Sequence, residues 1–375
     1  MGKLSDICDL ISEKMKVNQD INKRLCETYI STENMLPNKR GITNASSIPT
    51  SGSITAFEEA DTLVSNIRPY FKKIWYAETS GGCSNDVLVF RAKNGINPYF
   101  VYYTLSNDEF FNYSMKTSKG TKMPRGDKKA IMNYPVHRLD LNTQIKATKI
   151  LRVVDEKIRL NNMINNNLEE QAKAIYRQIF IDNACSDWTE GILSDIADIT
   201  MGQSPSGSSY NEAGNGTIFF QGRAEFGFRF PSVRLYTNEP KRMAQSNDTL
   251  MSVRAPVGDL NVAHTDCCIG RGLAAIHSKS NRQSFVLYTM FSLKEQLNVF
   301  NGEGTVFGSI NRNSLNDMPI LIPSDDILDE FERIVAPMDL TIRNNYDENC
   351  RLHFLRDTLL PRLLSGELDL STIEL

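Results

Sequence analysis

No stretch of about 18 consecutive apolar residues occurs in the chain, so no membrane-spanning helix is expected. The N-terminus shows no basic segment running into an apolar one, which argues against a secretory signal. The seven cysteines are an odd number, scattered singly apart from Cys267-Cys268. That argues against a disulfide framework and for reduced, buried thiols in a reducing, cytoplasmic compartment. His137, His264, His277 and His353 lie far apart with no ligand spacing, so no metal site is expected. There is no Gly-x-x-x-x-Gly-Lys-Ser/Thr loop to cradle a nucleotide and no evident nucleophile–base pair. Asp155-Glu156-Lys157 superficially suggests part of a nuclease cluster, but it falls on the polar face of a helical pattern and reads as surface charge. The expectation is a chain without catalytic residues and without a cofactor of its own.

Net charge is low, at −3, but unevenly placed. Residues 1–141 carry 19 Lys+Arg against 15 Asp+Glu, whereas residues 183–323 carry 11 against 13. A local basic patch can meet phosphate despite an acidic total, but this balance argues against a purely electrostatic nucleic-acid binder.

What the chain does contain is itself, twice. Gly2-Lys3-Leu4-Ser5-Asp6-Ile7 returns as Gly191-Ile192-Leu193-Ser194-Asp195-Ile196. Asp61-Thr62-Leu63-Val64-Ser65 returns as Asp248-Thr249-Leu250-Met251-Ser252, Gly120-Thr121 as Gly304-Thr305, and Ile158-Arg159 as Ile342-Arg343. The order is kept and the offset drifts only from 189 to 184. Solenoid repeats run roughly 20–50 residues, so this period is that of a domain. Two similar but non-identical modules follow.

Each module reads as a globular part and a long helix. Short β-rich runs such as Asp86-Val87-Leu88-Val89-Phe90 and Met318-Pro319-Ile320-Leu321-Ile322-Pro323 are punctuated by Gly/Ser clusters. Short helices are expected near 98–114 and 283–299, where Phe100 and Tyr103 match Phe285 and Tyr288. From Thr143 to about Ile181 there is neither Gly nor Pro. Ala147, Leu151, Val154, Ile158, Asn161, Asn165, Leu168, Ala172, Ile175 and Ile179 trace a 3.5-residue seam. A seam of the same phase runs through Phe331, Val335, Met338, Ile342, Asn345, Asn349, Leu352, Arg356, Leu359 and Leu363. Asparagine in a seam costs stability, and its attested use is to fix register. The two helices are therefore expected to pair antiparallel about a pseudo-twofold axis, Asn161 with Asn349 and Asn165 with Asn345. The competing reading leaves these amides in solvent. Pro337 and Pro361 are expected to kink or interrupt the second helix. A helix of about 40 residues spans about 60 Å, enough to hold two globular heads more than one DNA turn, about 34–36 Å, apart.

The most basic stretch is Lys116-Thr117-Ser118-Lys119-Gly120-Thr121-Lys122-Met123-Pro124-Arg125-Gly126-Asp127-Lys128-Lys129. Such a loop suits phosphates and base edges, although a solvated loop without a ligand looks the same. Its counterpart keeps Thr305, Asn311 and Arg312 and loses most of the charge. Arg and Asn suit bidentate readout of guanine and adenine. Arg68 and Arg254 follow the Asp-Thr-Leu strand in both copies, each close to a proline. Arg223, Arg229 and Arg234 alternate with Phe226, Phe228 and Phe230, as in a strand with an arginine face turned to DNA or to solvent. Asn97-Pro98-Tyr99-Phe100 resembles the loop with which amino-methyltransferases hold the target amine, but lacks the second proline. A helix start, with Asn97 as cap and Pro98 in the first turn, is the better reading.

With Gly202-Gln203-Ser204-Pro205-Ser206-Gly207, Phe219-Phe220-Gln221-Gly222 and the ending Leu359-Leu360-Pro361-Arg362-Leu363-Leu364-Ser365-Gly366-Glu367-Leu368, these duplicated phrases resemble a specificity (S) subunit of a type I restriction–modification enzyme. The first module lacks the Gly-Gln-Ser-Pro-Ser-Gly phrase. The resemblance implies an α+β chain of two homologous mixed α/β target-recognition domains joined by two long antiparallel coiled-coil helices. Their expected extents are 1–141 and 183–325 for the domains, and 142–182 and 326–375 for the helices with the C-terminal tail. It implies that each domain reads half of a bipartite, asymmetric double-stranded DNA target. The helices would set the gap and dock two methylation subunits, to which restriction subunits are added. S-adenosylmethionine, ATP and magnesium would belong to those partners. The residues expected to meet DNA are Arg68, Lys116, Lys119, Lys122, Arg125, Lys128, Lys129, Arg223, Arg254, Thr305, Asn311 and Arg312. The alternatives are a related system whose partner fuses methylation and cleavage, or an adenine methyltransferase using Asn97.

Overall fold

The structure, a computed structural model, describes residues 1–17, 28–302 and 308–371. It comprises two compact units, Met1–Arg159 with Cys350–Leu375, and Leu160–Asn349. The division falls within both long helices.

The repeated phrases are the framework of each unit. In the first, Gly2–Lys3 pairs antiparallel with Pro135–Val136 and leads into the one-turn helix Leu4–Ile7. In the second, Thr189–Ile192 pairs antiparallel with Pro319–Ile322 and leads into Leu193–Ile196. Leu4 and Leu193 are wholly buried. Asp6 accepts the Lys3 N–H at 2.9 Å and Asp195 the Ile192 N–H at 2.8 Å, so both copies satisfy a donor at the helix start with the same carboxylate. The following strand then opens a four-stranded antiparallel sheet. Its order is Cys8–Ile11, Val87–Ala92, Thr62–Ser65, Ile74–Tyr76 in the first unit. The order is Ala197–Met201, Leu273–Ser278, Thr249–Ser252, Leu260–Val262 in the second.

The Asp-Thr-Leu phrase begins an inner strand of each sheet. Asp61 accepts the Glu58 N–H and both Nε and Nη2 of Arg91, at 2.8–2.9 Å. Asp248 accepts the Gln245 N–H at 2.7 Å and lies 2.6 Å from His277 Nδ1. Arg91 and His277 hold equivalent register positions, opposite Asp9 and Asp198. A buried carboxylate is thus hydrogen-bonded by a side chain from the neighbouring strand in both copies, as burial of a polar group requires.

Asn97 accepts the Tyr99 N–H at 2.9 Å and Pro98 begins the helix Pro98–Ser106, so the Asn-Pro-Tyr-Phe phrase is a helix cap. Helices Asp108–Lys116, Gln283–Ser292 and Lys294–Asn298 fill the remaining expected positions.

The long helices span Leu141–Arg177, continued by a π-helical turn at Gln178–Asp182, and Asp325–Ser365. Within the second unit, Asn161 Nδ2 donates to Asn349 Oδ1 at 2.9 Å and Asn345 Nδ2 to Asn165 Oδ1 at 2.8 Å. The helices there run antiparallel in the expected register. Of the kink or interruption expected, the interruption does not occur: the second helix passes through Pro337 and Pro361 without a break. Both prolines are exposed, so water can solvate the carbonyls that lose a partner. The closing phrase belongs to the first unit's core, where Leu360, Leu363, Leu364 and Leu370 join the cluster containing Leu4, Val136, Ala147 and Leu151. Gly366, at φ +76°, ends the helix so that this turn can be made.

A second expectation is also corrected. Residues 223–234 are not a strand: Arg223–Glu225 is a short 3₁₀ turn, and the next strand is Leu235–Thr237. Gly227 and Pro231 interrupt the pattern, and Arg229 turns inward to become buried.

Candidate nucleic-acid interface

The basic stretch of the first unit leaves the helix Asp108–Lys116 and folds back on itself. Lys119 and Arg125 exchange backbone hydrogen bonds, both 2.9 Å, which pinches residues 120–124 into a tip. Gly120, at φ +90°, permits the bend. The loop is then stapled to a segment more than 50 residues away: Arg68 N–H donates to Pro124 O at 2.8 Å, and Gly126 N–H to Asn66 O at 3.2 Å. Arg68 itself is held at φ +50°, and its buried Nε has no hydrogen-bond partner among the described residues. Asp127 closes the loop by capping helix Lys128–Met132 through the Lys129 and Ala130 N–H groups.

This ridge gathers Arg68 with Lys116, Lys119, Lys122, Arg125, Lys128 and Lys129, all six of the latter exposed. Lys119 lies 2.7 Å from Asp127 and Arg125 3.1 Å from Asp86. The Lys119 ammonium holds the Asp127 carboxyl below the usual carboxylate range, and Asp127 raises Lys119 in return. Among the described residues Lys116, Lys122, Lys128 and Lys129 have no carboxylate within salt-bridge distance. Their charge is free to meet phosphate.

The second unit builds the same junction from its own copy. Ala255 N–H donates to Gly308 O at 3.0 Å, Ile310 N–H to Val253 O at 3.1 Å, and Arg254 bridges Ser309. A Cβ on Gly308 would collide with Phe300 O, so only glycine fits this close approach. Asn311 takes the position of Asp127 and caps Arg312–Asn316, accepting the Ser314 N–H at 2.9 Å. Its carbonyl is thereby committed locally. Arg254 and Arg312 are exposed and without a carboxylate partner among the described residues. Thr305 lies outside the described residues. Arg223 sits apart from this junction in the chain, paired with Asp259, which also holds Lys294 at 2.8 Å. It is a neutralised cation rather than a free one.

Sequence reasoning missed what fastens each domain to the long helices. Tyr103 OH donates to Asp155 Oδ2 at 2.7 Å in the first unit, and Tyr288 OH to Asp339 Oδ1 at 2.9 Å in the second. The repeat offset relates these pairs and could have revealed them. Asp155 is therefore not the surface charge expected: it also binds Arg356 at 3.1 Å. In the second unit the arginine is Arg229, 3.2 Å from Asp339 and 3.1 Å from Glu169. Burial holds Asp339 above the usual carboxylate range despite Arg229.

Among the described residues no cluster of His, Cys, Asp or Glu could hold a metal ion, and no helix is long and apolar enough to cross a membrane. The family model for the type I restriction modification DNA specificity domain matches twice, over residues 1–170 and 185–345. The chain belongs to this family. As a member it is 31% identical over 303 residues, 75% of this chain and 70% of the relative, to the putative type I restriction enzyme MjaX specificity subunit of Methanocaldococcus jannaschii. It is 23% identical to the type I restriction enzyme HindI specificity subunit of Haemophilus influenzae, over 97% of this chain and 98% of the relative. The crystal structure of the type I restriction–modification S subunit from M. genitalium shares the fold, with a TM-score of 0.61, 14% identity and coverage of 96% and 95%. Both specificity domains thus contain one junction of the kind described above.

Proposed function

We propose that this specificity subunit reads a bipartite, asymmetric DNA target, each junction meeting one half through the major groove. The observation that carries this reading is the duplicated junction: the same two backbone segments are stapled together in both units, while the side chains they display differ. A constant scaffold with variable side chains is what two readers of different sequences require. The ridge of the first unit is rich in lysine and grips phosphate, and that of the second relies on Arg254 and Arg312.

In this reading the long helices set the gap between the halves and dock two methylation subunits, and restriction subunits complete the assembly. Exposed apolar side chains on these helices, Val153, Leu160, Met163 and Phe354 among them, supply apolar surface for such partners. S-adenosylmethionine, ATP and magnesium act on the partners, in the cytoplasm, and adenine is the base modified.

The test is charge reversal of Lys119, Lys122 and Arg125 to Glu in the assembled complex. Duplex affinity should fall by at least about tenfold, and the salt dependence should flatten by roughly one unit of slope for each phosphate no longer neutralised. Unchanged binding would sink the proposal.

A further inference from the structure

Beside the first junction lies a feature that the second lacks. Tyr70 and Phe71 follow Arg68-Pro69 in a short 3₁₀ turn, Pro69–Phe71. Their side chains are 47% and 36% exposed, with ring centroids 4.7 Å apart. Met123, next to the Pro124 carbonyl that binds Arg68, is 49% exposed. Single exposed apolar side chains are ordinary, but three large ones on two stapled segments, with the unpaired Lys122 next to Met123, form a patch. The corresponding turn of the second unit exposes only Arg254, Ala255 and Pro256, and Val257 is fully buried.

The aromatic turn is built to stay in place. Asn38 N–H donates to Phe71 O at 2.8 Å and Lys39 N–H to Lys72 O at 2.9 Å. Asn38, Lys39, Arg68 and Lys72 all have positive φ, between 50° and 60°. None is glycine, so each stores strain that the surrounding bonds must hold. Asp108 supplies part of that restraint, binding both Lys39 and Lys72 at 2.7 Å. Strained backbone that fixes exposed aromatic rings next to a phosphate-binding ridge calls for an occupant with anionic and apolar parts together. A DNA major groove offers both, with phosphates at its rim and the thymine C5-methyl on its floor.

We propose that the Tyr70–Phe71 turn is a second contact of the first domain with DNA, reading thymine methyl edges while the adjoining lysines hold phosphate. This rests on the DNA-reading function proposed above. If adenine is the base modified, the half-site contains at least one thymine, on the strand opposite.

The test uses the assembled complex and a duplex in which each thymine of the first half-site is replaced in turn by uracil, which removes only the methyl group. The wild-type complex should lose about fivefold or more in affinity at one or more positions. Tyr70→Ala/Phe71→Ala should bind the thymine duplex correspondingly less well and be indifferent to uracil at those positions, with its salt dependence unchanged. Both side chains are exposed, and an unaltered melting temperature confirms that the variant is folded. If uracil costs wild type and variant equally, or costs neither, while charge reversal of the ridge abolishes binding, this proposal fails and the DNA-reading function stands. If charge reversal has no effect either, that function itself fails. If the alanine variant instead fails to assemble with the methylation subunits, the turn is a protein contact and the proposal is overturned.

Discussion

Arg229 shows how one side chain can change role between pattern and structure. In the sequence it alternates with phenylalanines as a strand arginine would. In the molecule it is buried against Glu169, Asp339 and the Tyr288 hydroxyl. Its removal leaves the buried Asp339 without a counter-charge, whereas Glu169 keeps Lys173 at 2.7 Å, so Arg229→Met should cost about 3–5 kcal/mol. The pH dependence follows from Asp339, whose carboxyl burial already raises. A raised carboxyl favours the fold most below the unfolded value of about 3.9, and that advantage is lost as pH rises through the folded value. Losing Arg229 raises Asp339 further. Urea denaturation of the variant should therefore show a larger stability loss at pH 8 than at pH 5, and an equal loss at both would argue against a charge left uncompensated at Asp339. Nothing in local sequence could have announced the change. Gly227 and Pro231 break the strand pattern, but the two carboxylate partners, Glu169 and Asp339, lie on the long helices, at least 60 residues from Arg229 on either side. The six cations of residues 116–129, by contrast, were legible, because exposed charge in a Gly/Pro-bent loop needs no distant partner.

The elements were legible where periodicity governs them. The 3.5-residue seam places Ala147, Leu151, Val154, Ile158, Asn161 and Asn165 in buried positions, and the asparagine pairs follow from the offset between the two seams. The uninterrupted passage through Pro337 was not legible, because the cost of proline depends on whether its turn faces water. The stapling of Arg68 to the basic loop was hidden as well, being a tertiary contact between backbones. The asparagines have a measurable cost in stability: replacing Asn161 and Asn349 with leucine removes two desolvated amides and buries apolar surface. Asn161→Leu/Asn349→Leu should raise stability by on the order of 2 kcal/mol, read by calorimetry. The same variant should loosen the helix register, so modified sites should show more than one gap length. A melting temperature that fell, with the gap unchanged, would argue against register selection.

At the scale of the whole molecule, duplication explains both what recurs and what diverges. Asp6 and Asp195, Asp61 and Asp248, Tyr103 and Tyr288, and Asp155 and Asp339 recur because each bonds within the framework of its own unit. The junction side chains diverge because the framework does not need them. If that separation is real, one half of recognition can be exchanged without disturbing the other. The direct test replaces residues 1–141 with the first domain of another family member and maps methylated adenines genome-wide in a host carrying the complete system. One half of the target should change while the other half and the gap are retained. A change in both halves, or a target that is not bipartite, would overturn modular recognition.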